Sequence, residues 1–254
     1  MPLRWIDTLF APAPDAREVE WLGQHVYAHR GLHHEGVPEN SPAAFRGAVE
    51  KGLGMECDVR LTSDGRAIVF HDATLNRLTD REGVVDQMTL EELTAIHLSE
   101  GGETLPSLKD LLDIVAGEEP LLVEIKVDSG QSVAILCRAV ERDLTDYSGK
   151  VAVMSFDPRV GAWFARHAPG IARGLIVTEK GRRGFEESAK RHISLWYSRP
   201  QFLAYDVRDL PSPFAASQRS RGLPVLTWTV SSSELRDRAK AHADAPIAEG
   251  QGLA

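Results

Sequence analysis

The chain of 254 residues reads as a closed (β/α)8 barrel, and three features of its order lead there. Eight short apolar runs, at 26–30, 54–59, 121–127, 151–156, 173–177, 202–207, 225–230 and 245–248, alternate with amphipathic segments, which implies parallel pairing. The length matches the roughly 250 residues that such a barrel occupies. Eight such repeats within this length favour a closed barrel over an open sheet.

Each element has a local cause. Arg4 and Asp7 interrupt the N-terminal apolar segment, so it lacks a signal-peptide core. Trp5, Ile6, Leu9 and Phe10 are expected to pack as an apolar arm onto the domain. Ser41-Pro42 opens a helix carrying Phe45, Ala48, Val49 and Leu53, with serine at the N-cap and proline in the first turn. Gly54 to Asp72 reads as two strands around Asp64-Gly65, a strong hairpin signal. A two-residue turn there sets Asp58 opposite His71, so that Glu56, Asp58 and His71 share one face. Thr89 caps a short helix, Pro106-Ser107 starts another that runs to Val115, residues 130–142 form a third, and Asp157-Pro158 caps a fourth. The second hairpin arm and the polar residues after it, about 67–106, form an insertion above the second strand, within a single domain over 1–254.

Composition narrows the function. A hydrophobic content of 43% supports a sizeable core, and the net charge of −8 argues against nucleic acid as a partner. No apolar run is long enough to span a membrane, so stable insertion is not expected and a cytoplasmic location is. Two cysteines are too few for a disulfide framework, and Cys57, on the far face of its strand from Glu56 and Asp58, belongs to the core.

The strand ends carry His29-Arg30, then Glu56 and Asp58, then Glu124 and Lys126, and Trp228 on the seventh strand. Singly these are weak signals: a strand-end histidine is more often structural, and Glu-x-Lys is more often a surface pair. Their coincidence at one rim points to chemistry. Glu56, Asp58 and Glu124 are hard oxygen ligands suited to Mg2+ or Ca2+. Arg30 and Lys126 are cations that could clamp a phosphate, and His29 and His71 exchange protons near neutral pH. Together they describe phosphoryl transfer at a diester.

The motifs Ala28-His29-Arg30-Gly31, Pro38-Glu39-Asn40, Glu56-Cys57-Asp58-Val59, Thr62-Ser63-Asp64-Gly65, His71-Asp72, Glu124-Ile125-Lys126 and Trp228-Thr229-Val230 resemble those of the glycerophosphodiester phosphodiesterase family. The resemblance runs in order from about residue 26 to 230. It implies a TIM barrel with a small insertion that hydrolyses glycerophosphodiesters to glycerol 3-phosphate and an alcohol. On that resemblance Glu56, Asp58 and Glu124 hold the divalent cation, and His29 and His71 are the acid–base pair. Arg30 and Lys126 bind phosphate, Glu39 and Asn40 support the site, and Trp228 walls the glycerol. His29 adjoins Arg30 and is placed on the attacking side, leaving His71 to protonate the departing alkoxide. The alternatives are a phospholipase D-like or cyclising phosphodiesterase on intact lipids, and a non-catalytic barrel that binds a phosphate ligand. The chain departs from the family at its end, where Ala-Pro-Ile-Ala-Glu-Gly at 245–250 stands in place of a Thr-Asp-x-Pro strand, and Glu249 is the candidate substitute.

Overall fold

A computed structural model describes residues 4–180 and 184–254. The strands are β1 (Tyr27–Ala28), β2 (Gly54–Leu61), β3 (Ala67–Val69), β4 (Leu121–Ile125), β5 (Val151–Ser155), β6 (Ala172–Val177), β7 (Phe202–Asp206), β8 (Val225–Val230) and β9 (Ala245–Ala248). The helices are α1 (Arg4–Phe10), α2 (Ala16–Val19), α3 (Pro42–Glu50), α4 (Leu90–Thr94), α5 (Leu108–Val115), α6 (Val133–Leu144), α7 (Pro158–His167), α8 (Phe185–Ser198), α9 (Pro213–Arg219) and α10 (Ser233–His242). The strand order β1-β9-β8-β7-β6-β5-β4-β2 returns to its start through a β1–β2 pairing, so eight parallel strands close a (β/α)8 barrel. The extra strand, β3, runs antiparallel to β2. No helix among the described residues is long and apolar enough to cross a membrane.

The chain divides into two compact units, one from Tyr27 to Val151 and the other formed by the segments up to Val26 and from Ala152 onward. In the first, α3 begins where Ser41 Oγ accepts the amide of Ala44 at 3.1 Å, with Pro42 at the first helical position. Reciprocal capping boxes start α4 at Thr89 and α5 at Ser107. β2 and β4 pair in register, Asp58 beside Glu124. Between them the insertion builds a small core of its own from Ile68, Phe70, Leu75, Val85, Leu93, Ile96, Leu98 and Leu105.

The hairpin register differs from the sequence expectation by one residue. Arg60 pairs with Ile68 and Leu61 with Ala67, and Phe70, not His71, bonds across to Asp58 through its amide at 3.0 Å. The turn holds three residues. Thr62 donates its amide to the Arg66 carbonyl at 3.0 Å, and Gly65 takes the left-handed conformation at φ 72°. Asp64 is drawn out of a two-residue turn by the hydroxyl of Thr62 and the Leu90 amide, 2.5 and 3.0 Å from its Oδ1. His71 still comes to the carboxylates, because β3 stops at Val69 and strand alternation no longer governs its direction.

In the second unit β5 to β9 pair in parallel, each strand with the next. Asp157 accepts the Arg159 amide at 2.9 Å to start α7, as its position before Pro158 suggests. Helix α1 packs there as an arm, with Ile6 half-buried and Phe10 5.8 Å from the Trp196 ring, but only part of its apolar face is used. Trp5 and Leu9 stay 68% and 67% exposed, whereas Asp7 is fully buried. A buried carboxylate needs donors. Asp7 has three, from His192 Nδ1 at 2.7 Å, Trp196 Nε1 at 2.8 Å and Gln218 Nε2 at 2.9 Å. Asp7→Ala is therefore expected to cost about 1–3 kcal/mol, the penalty of stranding buried donors. Urea unfolding would measure it. A loss within the roughly 0.5 kcal/mol typical of surface sites would show that this network does not hold the helix.

Candidate active site

The first site residues stand on a tight turn after β1. The Gly31 amide bonds the Ala28 carbonyl at 3.2 Å, and Gly31 takes φ 76° where an added Cβ would meet the Ala44 backbone at 2.9 Å. Arg30 and Asn40 adopt left-handed φ values of 57° and 56°, uncommon for side chains that carry a Cβ. The two are tied together, the Asn40 amide donating to the Arg30 carbonyl at 2.9 Å. The bend has a use, since it aims the Arg30 amide at Glu56 Oε2, 3.0 Å away.

Strand alternation sets Glu56 and Asp58 on one side of β2, and pairing with β4 brings Glu124 beside Asp58. One oxygen from each lies within 4.8 Å of the others. All three are buried among the inner residues of the sheet. Lys126 Nζ lies 3.0 Å from Asp58 Oδ1 and 2.7 Å from Glu124 Oε1, and Arg30 Nε lies 3.1 Å from Asp58 Oδ2. Asn40 also grips Asp58, giving its side-chain amide at 3.0 Å to Oδ2 and accepting the Asp58 amide at 3.3 Å.

Two cations cannot serve three buried carboxylates equally. Burial alone would raise Asp58, but Lys126, Arg30 and the Asn40 bond outweigh it and hold its pKa at about 2. Glu56 goes well above the ordinary range through burial and the neighbouring carboxylates. Glu124 rises to about 7 for the same reasons. Glu56 Oε1 is buried with no hydrogen-bond partner among the described residues. Three hard oxygens, one of them unsatisfied, fit a hard divalent cation such as Mg2+ or Ca2+.

His71 is gripped from two sides. Its ring Nδ1 lies 2.6 Å from Asp72 Oδ1, and its carbonyl accepts from Arg60 Nε at 2.7 Å. Burial pushes its pKa below the ordinary 6.5, outweighing the opposite pull of Asp58. Asp72, bonded by Arg77 and His71, is held at about 2 in spite of its own partial burial. Glu39 accepts from Arg30 Nη1 at 2.7 Å and also from Arg77. His29 directly follows β1 and is half-buried, one residue before the amide that grips Glu56.

Residues 29–246 match the model of the glycerophosphoryl diester phosphodiesterase family. The chain belongs to that family. A glycerophosphodiester phosphodiesterase from Caldanaerobacter subterraneus is 30% identical over 230 residues, covering 84% of this chain and 88% of that protein. Glycerophosphodiester phosphodiesterase 1 of Bos taurus is 25% identical, covering 92% of this chain and 81% of its own. In fold the chain is similar to an Oleispira antarctica phosphodiesterase solved in complex with the product sn-glycerol-3-phosphate, with a TM-score of 0.75, 23% identity, and coverage of 88% of this chain and 92% of that one. These relatives are phosphoric diester hydrolases by name.

For this member of the phosphodiesterase family, one compact unit gathers His29, Arg30, Glu39, Asn40, Glu56, Asp58, His71, Glu124 and Lys126. Trp228 belongs to the other unit, on β8 opposite Asp206. Its indole donates to the Ala204 carbonyl at 3.0 Å, and Phe156 meets it edge-on at 5.5 Å. Glu249 follows β9, and its amide bonds the Val230 carbonyl at 3.0 Å. Sequence reasoning gave no role to Asp72 or Arg77. The His71-Asp72 adjacency was a usable signal for the first. Nothing local marks Arg77 among the polar residues of the insertion.

Proposed function

We propose that this chain hydrolyses glycerophosphodiesters to glycerol 3-phosphate and an alcohol, with a divalent cation held by Glu56, Asp58 and Glu124 and with His71 and His29 as the proton-transfer pair. The observation that carries the reading is the convergence of three buried carboxylates, one with an unsatisfied oxygen, against Arg30 and Lys126. Family membership supplies the substrate class. When bound, the cation supplies positive charge where charge builds on the phosphoryl oxygens.

The chain's own groups divide the remaining work. Lys126 and Arg30, held beside Asp58, offer positive charge to the phosphate, Arg30 from a backbone that Glu56 and Asn40 restrain. His71 has Nδ1 engaged by Asp72, which leaves Nε2 as the proton-exchanging atom. Its lowered pKa keeps the ring neutral near pH 7, a state that accepts a proton. This supports His71 as the base toward the attacking hydroxyl and His29 as the acid toward the leaving oxygen. That allocation reverses the one drawn from the closeness of His29 to Arg30. In the reaction a P–O bond forms to the nucleophile, its proton passes to His71, and the P–O bond to the alcohol breaks as that oxygen gains a proton.

A panel of glycerophospho-alcohols, assayed with and without chelator, tests the proposal. Release of glycerol 3-phosphate that stops with chelator and returns with Mg2+, Ca2+ or Mn2+ is expected. Undiminished turnover in excess chelator would reject the metal, and no turnover on any member of the panel would reject the activity.

Trp228 gives a separate check. As a wall for the glycerol, Trp228→Ala should raise KM for glycerol diesters more than for a simple aryl phosphodiester. A purely structural tryptophan would instead cost about 3–5 kcal/mol of stability, with no preference between substrates. Equal kinetic losses on both substrates in a stably folded variant would remove the wall.

A further inference from the structure

Arg77 sits in the insertion, and no local pattern in the sequence marks it. Its backbone is anchored on both sides. Leu75 is fully buried in the insertion core and gives its amide to the Gly83 carbonyl at 3.0 Å, and the Thr79 hydroxyl donates to the Leu75 carbonyl at 2.9 Å. From this footing the guanidinium takes two carboxylates at once. Nε donates to Asp72 Oδ2 at 2.6 Å and Nη2 to Oδ1 at 3.2 Å. Nη1 donates to Glu39 Oε2 at 2.9 Å and Nη2 to Oε1 at 2.7 Å.

The oxygens matter more than the count. Asp72 Oδ1 is the atom that meets His71 Nδ1, and Glu39 Oε1 is the atom that accepts from Arg30 Nη1. Arg30 in turn reaches Glu56 through its amide and Asp58 through Nε. A continuous chain of polar contacts therefore runs from the His71 ring through Arg77 to the carboxylate cluster. An ordinary exposed ion pair would contribute little. Here the Arg77 side chain is itself 46% exposed, but its partners are largely buried, with side chains 13% and 23% exposed, and each grips a group of the site. The planar fork of arginine can engage two carboxylates in fixed directions, whereas a lysine ammonium supplies charge without that geometry.

We propose that Arg77 is a positioning residue, which holds the His71 ring and the Arg30 guanidinium in one fixed relation by gripping Asp72 and Glu39 together. The proposal rests on the phosphodiesterase reading of the site. The insertion thereby contributes to the reaction without touching substrate. Its removal frees two carboxylates that repel each other, and each can then turn away from the group it orients.

Arg77→Lys and Arg77→Ala are expected to lower kcat on a glycerol diester by about 10–100-fold, the range for residues that orient functional groups from behind. The melting temperature should stay near that of the wild type, as should that of Arg81→Ala, a control in the same insertion with unchanged kcat. Millimolar guanidinium should restore part of the activity of Arg77→Ala, because the partner carboxylates remain. Asp72→Asn and Glu39→Gln touch different residues, yet their combined loss should fall short of the product of the single losses while Arg77 is present and equal it in Arg77→Lys. Imidazole 15N NMR reads the same event without turnover: His71 should be a single Nδ1–H tautomer in the wild type and a mixture in Arg77→Lys. An active wild type with Arg77→Lys at full kcat and an unchanged His71 tautomer would overturn the proposal. A wild type inactive on every glycerol diester would overturn the phosphodiesterase reading, and the NMR comparison would still decide whether Arg77 orients His71.

Discussion

His71→Ala should lose on the order of 10²–10⁴ in kcat/KM, the usual span for a general acid or base. The loss should be as large on a nitrophenyl diester as on a glycerol diester, because a base is needed whatever leaves. His29→Ala should behave differently. It should lose heavily on the glycerol diester, whose alkoxide must be protonated, and keep most of its rate on the nitrophenyl substrate. The pH profile carries the same assignment. Burial lowers His71 below 6.5, so its neutral form persists into more acid solution. The acid limb of kcat/KM should therefore fall below that value and disappear in His71→Ala. Removing Asp72 loosens Nδ1, so Asp72→Asn should reduce kcat while leaving the nitrophenyl-to-glycerol ratio alone. Rescue of His71→Ala, and not His29→Ala, by the nitrophenyl leaving group would exchange the two roles. Full activity of both variants on a glycerol diester would end the paired-histidine mechanism.

The carboxylate cluster gives the other large effect, and its three members should not respond alike. Glu56 is raised well above its ordinary range by burial and like charge, so glutamine mimics the form it prefers without a metal. Glu56→Gln should leave the metal-free protein as stable as the wild type, yet lose metal affinity by at least the roughly 10–100-fold that removing even an outer partner costs. Activity should vanish with it. Asp58→Asn should be damaging in another way, since it removes the ionised carboxylate that Arg30 and Lys126 share and leaves them only Glu39 and Glu124, at a cost of up to about 3–5 kcal/mol for a broken buried pair.

The pH dependence of stability follows in sign. A carboxyl raised in the folded state holds its proton where the unfolded chain has lost it, so stability falls as pH rises. For Glu124 that window runs from 4.5 to about 7. Asp58 acts in the opposite sense: its contribution is present above the ordinary 3.8 and is lost as pH falls toward about 2. Thermal melts of metal-free protein should thus decline between pH 4.5 and 7, and saturating Mg2+ or Ca2+ should remove that decline by favouring the ionised trio. A metal-free melt that rises through this window, or one that added cation leaves unchanged, would contradict the assignment.

Much of this was legible in the order of residues because the signals are local. The apolar runs that became β2, β4 and β6 to β9 needed only alternation and flanking turn residues to be seen. Ser41, Thr89, Ser107 and Asp157 announced their helices through short side chains that reach the next amides. Glu56 and Asp58 face the same way because a strand repeats every two residues, and the barrel order then had to bring Glu124 alongside. β1 proved shorter than expected because the chain bends at His29 and Arg30, and a left-handed arginine leaves no mark in sequence.

What tertiary structure decided depends on which competing contact wins. Asp64-Gly65 is compatible with a two-residue turn, but the Leu90 amide, brought in by the insertion, takes Asp64, and the register moves by one. In helix α1 the apolar residues predict one buried face, but the helix settles on the side that carries Asp7 with Ile6 and Phe10, because three donors from α8 and α9 satisfy Asp7, and Trp5 and Leu9 stay in solvent. Arg77 reaches Glu39 across 38 residues of sequence, and a side chain that acts at such a distance has no period or spacing to betray it. The sequence by itself determined the barrel, its strand order and the carboxylates of one rim, because these rest on periodicity and on neighbouring strands. Only the packed chain decided the hairpin register, the docking face of α1 and the Arg77 bridge, because each is a choice between partners that meet only once the chain has folded.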